Sequence, residues 1–241
     1  MRQSASEAKT LLVKAGRGVG VPIGLLEDLA PSALWLQACG RNGLDQALAA
    51  IQCLDEGRAL PEFVEVPSMR PVHSEQTKQL SSVYLLVALG DRLQLGGFDQ
   101  QRTASFHAVD CPELVAAALV LLHRELKISG CLTVRAEASV FISEPRGGGI
   151  SVLRSSVAGQ ELGTRGSLDV SVDRVHDFDR EGDTVLDGDA ERLALERSWQ
   201  EGLVVAAETV EGLQHYASRL LVPESDQSLR FGAGAGIIDS D

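Results

Sequence analysis

Residues 132–142, LTVRAEASVFI, decide the fold class. Leu132, Val134, Ala136, Ala138, Val140 and Ile142 alternate with Thr133, Arg135, Glu137 and Ser139, the period of a strand with one buried and one wet face. Antiparallel sheets carry that pattern, whereas parallel sheets read as continuous apolar runs. Downstream, EPRGGG (144–149) turns the chain into ISVLRSSV (150–157), and SLDVSVDRV (167–175) alternates again, so three antiparallel strands are expected. Upstream, SVYLLVAL (82–89) reads as a further strand, with Gly90-Asp91 as a hairpin turn and RLQLGGF (92–98) as the return.

Helices flank this sheet. Pro112–Leu126 is apolar almost all round and must be buried on most faces. A second helix is expected from Ala190 to Arg219, weakened by Gly202 and Gly212, with Leu193, Leu203, Val210, Leu213, Ala217 and Leu220 as the stripe that lies along the sheet. The first third is helical. Ser4 and Glu7 have capping-box spacing before a helix that stops at Gly16 and Gly18. Ile23–Ala38 follows, with Pro31 predicting a kink or break, and then Leu44–Leu54. The fold class is therefore α+β: an antiparallel sheet covered by helices, with a helical N-terminal subdomain. One domain is expected over 1–241, comprising a helical part at 1–57, a Pro/Ser/Glu/Gln-rich loop at 58–80, a sheet-plus-helix body at 81–220 and a Gly-rich segment at 221–241.

The formal net charge of -12 argues against nucleic acid and anionic membrane surfaces, because no run of Lys and Arg offsets it. Cys39, Cys53, Cys111 and Cys131 are too far apart for a zinc ribbon or a C-x-x-C redox pair. Neither metal nor cofactor is expected. The apolar runs are too short to span a bilayer and the first residues lack a signal-peptide core, so a cytoplasmic protein is expected.

Three stretches hold candidate chemistry. Cys111 falls in the first turn of the Pro112 helix, where a thiol acidifies, with His107 nearby as a base; plain burial is the competing reading. DFDREGD (177–183) begins like a calcium loop, but Gly188 stands where the twelfth-position glutamate belongs, so an acidic loop is expected. SLRFGAGAGIIDSD (228–241) and GRGVGVPIG (16–24) are glycine-rich and can bring backbone amides close to an anion or to another backbone. Arg17, Glu27, Arg230 and Asp239 would form one polar ligand site if the two stretches pack together.

Both ends also resemble an uncharacterised bacterial family, a domain of unknown function. The carrying residues are Ser4, Glu7, Arg17, Gly18, Gly20, Gly24, Glu27, Asp28, Trp35 and Leu36 at the start. At the end they lie in YASRLLVPESDQSLRFGAGAGIIDSD (216–241). The resemblance implies no activity. From the residues, two functions are open: a homo-oligomeric protein that binds a small anionic metabolite between its two ends, or a non-catalytic accessory protein that associates with itself or others.

Overall fold

The computed structural model describes residues 1–61, 78–96, 104–137, 139–143, 150–154, 166, 168–173 and 183–220. In chain order these form β1 (Arg2–Gln3), α1 (Ala5–Gly18), α2 (Ile23–Ala38), α3 (Gly43–Asp55), β2 (Ala59–Leu60), β3 (Gln79–Leu80) and α4 (Ser82–Gln94). They continue with β4 (Ala104–Phe106), α5 (Pro112–Leu126), β5 (Cys131–Ala136), β6 (Ser139–Ser143), β7 (Ile150–Arg154), β8 (Leu168–Asp173) and β9 (Asp183–Leu186), then α6 (Gly188–Glu201), β10 (Leu203–Val204) and α7 (Ala207–Ser218).

A six-stranded sheet in the order β4-β8-β5-β6-β7-β9 is antiparallel at every pairing. Helix α5 packs on β5 and β6, and α2 and α4 pack on α5. The fold is α+β. Phe106, Phe141, Leu119, Leu114, Leu36 and Ile51 sit in one continuous core that joins the sheet to the N-terminal helices. No helix among the described residues is long and apolar enough to cross a membrane.

The Ser4–Glu7 capping box forms in both directions: the Glu7 amide donates to Ser4 Oγ at 3.2 Å and the Ser4 amide to Glu7 Oε2 at 2.9 Å. Helix α2 has the expected bounds and runs on through Pro31. Three expectations need correction. The run 82–94 is helix α4 and not a hairpin: Ser82, Leu85, Leu86, Leu89 and Leu93 are buried at helical spacing. A short apolar run fits either period, and here Leu89 and Leu93 extend it at 3.6. Gly90 is no turn; a Cβ there would meet Leu122 Cδ2 at 3.3 Å, so the glycine lets α4 lie close to α5.

The alternation over 132–142 belongs to two strands and not one. The chain reverses at Glu137, whose φ is 52°, and β5 pairs β6 with Val134 opposite Phe141 and Thr133 opposite Ile142. Opposed residues share a face, so Phe141 enters the main core, while Val140 and Ile142 join Cys131 in a small cluster of their own. The long C-terminal helix is likewise two. Gly202 adopts φ 81° with its Cα against Gln3, where a Cβ would lie 2.8 Å from the carbonyl oxygen, and β10 then pairs antiparallel with β1. Helix α6 packs on α2 and β7, and α7 packs on α1 and α3 instead of along the sheet. The ends of the 58–80 segment pair as a parallel ladder, Ala59 with Gln79 and Leu60 with Leu80.

Candidate ligand cavity

The N-termini of α4 and α5 converge on Asp110. Its Oδ1 accepts from the Ser82 amide at 2.8 Å and from the Cys111 amide at 2.7 Å, while its own amide donates to Leu80 O at 3.0 Å. Burial holds the Asp110 carboxyl above its usual range, despite the hydrogen bonds from Ser82 and Cys111 that oppose the shift. Cys111 is buried, and its thiol donates to Gln46 O at 3.3 Å. Burial first, then the charges of Asp110, Cys53 and Glu137, push its pKa well above the ordinary thiol value. Desolvation and the neighbouring carboxylate thus oppose the acidification that a helix N-terminus gives a thiol. His107 is exposed just past β4. Burial also raises Cys39, to about 12.

Arg17 lies in the last turn of α1 and Glu27 in the second turn of α2, both exposed, and the ion pairs among the described residues do not join them. The glycine beside Arg17 faces another backbone: a Cβ on Gly18 would lie 2.0 Å from Tyr216 O. Close approach of helix α7, one of the two uses a glycine can serve, is the one seen. Arg230, Asp239 and most of the 177–183 segment lie outside the described residues, as does the whole Gly-rich tail. Among the described residues, no group of three or more His, Cys, Asp or Glu side chains could hold a metal ion.

A different place gathers polar groups around open space. The α2–α3 connection turns through Gly40 (φ 72°) and Asn42 (φ 51°), and with α6 and the β1–β10 ribbon it borders a half-open cavity of about 580 Å³. Arg2, Gln37, Asn42, Arg197, Ser198 and Glu201 contribute its polar lining. Gln37 is fixed at both ends, donating to Val204 O at 2.6 Å and accepting from the Leu44 amide at 3.0 Å. Arg2 donates to Glu201 Oε2 at 2.9 Å and to its carbonyl at 3.0 Å. Arg197 is exposed and forms none of the ion pairs seen among the described residues.

Behind the cavity, a buried polar belt fixes the elements that form it. Glu191 Oε1 accepts from Trp35 Nε1 at 2.8 Å and Arg124 Nη1 at 2.7 Å, and Oε2 accepts from the Ile150 amide at 2.9 Å, joining α2, α5, α6 and β7. Arg41, directly after Gly40, pairs with Glu113 and donates to Ser139 Oγ at 2.7 Å, with its guanidinium 5.4 Å from the Phe141 ring centre. No sequence motif signals this cavity. Arg2 and Arg197 line one cavity because β1 pairs with β10, the strand that follows α6.

Residues 3–77 match the profile of a family described as "Protein of unknown function (DUF3726)". Most of the chain is similar in fold to two solved structures. One is a dehydrogenase from Sinorhizobium meliloti: TM-score 0.61, 13% identity, covering 90% of this chain and 99% of that one. The other is described as a candidate malate/lactate dehydrogenase from E. coli: TM-score 0.55, 10% identity, covering 93% of this chain and 96% of that one. At such identities the likeness is one of fold. No curated protein matches the sequence.

Proposed function

We propose that this protein binds a small anionic metabolite, a carboxylate by preference, in the cavity beside the α2–α3 turn. The observation that carries the reading is the lining: two guanidiniums, Arg2 and Arg197, against one carboxylate, Glu201, in a chain whose net charge is -12. Arg2 is held by Glu201, whereas Arg197 forms none of the ion pairs seen among the described residues, and such a guanidinium is a ready bidentate donor for a carboxylate. The volume of about 580 Å³ lies within the range of small-molecule sites, roughly 300–1,000 Å³. The dehydrogenase names of the two fold neighbours, one of them malate/lactate, agree with a small hydroxy or keto acid as ligand. A polar site of Arg17, Glu27, Arg230 and Asp239 between the two Gly-rich stretches is a separate proposal, since Arg17 and Glu27 are not among the residues that line this cavity. Four free cysteines, three of them buried, support a reducing compartment and so the cytoplasm.

The test is a thermal-shift series with malate, lactate, pyruvate and phosphate on the wild-type protein and on Arg197→Ala. A saturating ligand raises the melting temperature by mass action, and the shift should disappear in the variant. Absence of any shift at millimolar concentrations refutes the reading. A second reading, a self-associating accessory protein, is favoured by one observation: Trp199 and Leu193 on α6 are 87% and 51% exposed. If Trp199 joins two copies, Trp199→Ser should lower the mass measured by light scattering from that of an oligomer to that of one chain.

A further inference from the structure

The polar side chains that line the cavity beside the α2–α3 turn divide into engaged and free. Arg197 and Glu201 stand four residues apart on α6 and both line the cavity, the usual spacing of a helical ion pair. They do not pair. Glu201 Oε2 accepts from Arg2 Nη1 at 2.9 Å instead, and the same nitrogen donates to the Glu201 carbonyl at 3.0 Å. The β1–β10 ladder sets Arg2 there, opposite Val204. Gln37 is engaged at both ends, and the Ser198 hydroxyl donates to Leu195 O at 2.8 Å. Of the charged and amide side chains in the lining, Arg197 and Asn42 alone make no hydrogen bond or ion pair among the described residues.

From this arrangement we infer that Arg2 is a positioning residue: it draws Glu201 off Arg197 and leaves that guanidinium to the ligand, which carries a single carboxylate. The inference rests on the anion reading of the cavity and narrows the class of anion. One guanidinium is free, so one carboxylate is matched by a bidentate donor. A second carboxylate would face Glu201 and the negative C-terminal end of α6, whose Ser198, Glu201 and Gly202 belong to the lining. Asn42, which makes no cap hydrogen bond at the start of α3, is left for a hydroxyl or keto oxygen. Without Arg2, Glu201 turns to Arg197 one helical turn away and fills the anion's place itself.

The experiment is calorimetry with lactate and with malate on the full chain at neutral pH and low salt. Wild type should bind lactate more tightly than malate. Arg2→Ala should weaken lactate roughly tenfold, the effect of losing a charge-assisted hydrogen bond. Adding Glu201→Gln to that variant should restore lactate binding, because the competitor for Arg197 has lost its charge. Recovery in a chain that still lacks Arg2 shows that the first loss was not one of folding. Arg192→Ala removes the same charge from α6 at a residue outside the lining, where Arg192 pairs with Glu196, and should leave lactate affinity unchanged. No binding of either acid by wild type refutes the anion reading and this inference with it. Lactate affinity that survives Arg2→Ala, a loss that the double variant fails to restore, an equal loss in Arg192→Ala, or a wild-type preference for malate would each overturn the inference alone.

Discussion

Replacing Gly18 by alanine should destabilise the protein although the residue is helical and exposed enough to look permissive. On helix propensity alone, Gly to Ala gains about 1 kcal/mol. The added Cβ, however, would lie 2.0 Å from Tyr216 O and 2.9 Å from its carbonyl carbon, both backbone atoms of α7. Ordinary contact is longer by more than an ångström, so α1 and α7 must separate along a seam that buries Leu12, Leu213 and Tyr216. Overpacking of this kind costs about 1–3 kcal/mol, more where backbone must move. Beside the seam, Arg219 at the end of α7 pairs with Asp55 of α3 at 2.6 Å, its guanidinium 4.5 Å from the Tyr216 ring centre. A net loss of about 2 kcal/mol should lower the melting temperature by roughly 4–8 °C in a chain of this size. Two neighbouring glycines serve as controls in the same scanning-calorimetry series. A Cβ on Gly24 meets nothing within 4 Å in helical backbone, so Gly24→Ala should gain about 0.5 kcal/mol. Gly20 is also open but has φ +88°, and Gly20→Ala should lose about 1 kcal/mol from backbone strain. If Gly18→Ala melts at or above Gly24→Ala, the packing account of the GRGVG turn is wrong.

Native Cys111 should react with iodoacetamide at neutral pH no faster than Cys39, and both slowly, since burial raises each thiol; rapid labelling confined to Cys111 would restore it as a nucleophile. Glu191→Ala should cost about 3 kcal/mol or more in urea unfolding, because Arg124, Trp35 Nε1 and the Ile150 amide lose their acceptor together; a loss under 1 kcal/mol would show that the belt is replaceable by water. Asp110 binds its proton more tightly folded than unfolded, so its contribution to stability is fully present in acid and falls as pH rises from about 4, the unfolded value, through its raised folded value. Asp110→Asn keeps an acceptor for the Ser82 and Cys111 amides and should flatten that decline above the unfolded value; an unchanged slope would assign it to other groups.

Local chemistry was legible wherever one segment carried its own signal. The Ser4–Glu7 box, the exact span of α2, the proline-started α5 and the antiparallel pairing of the strands follow from caps, periods and turns within a few residues of one another. The α4 segment is ambiguous in sequence because the seven apolar residues 83–89 fit two periods, and contact with α5 through Gly90 settles which one is used. The hairpin inside 132–142 and the break at Gly202 were hidden for a related reason. Alternation looks the same through a tight turn, and a glycine in a helical stripe shows its φ only when Gln3 lies against it. The sites show the same division. Charge, cysteine spacing and glycine placement belong to the chain and bound the chemistry from sequence, whereas the cavity lined by Arg2 and Arg197 exists only where distant segments meet. The β1–β10 pairing brings the two arginines to one cavity. Which helix covers which is decided by the summed burial of side chains far apart in the chain, a quantity that no local window contains.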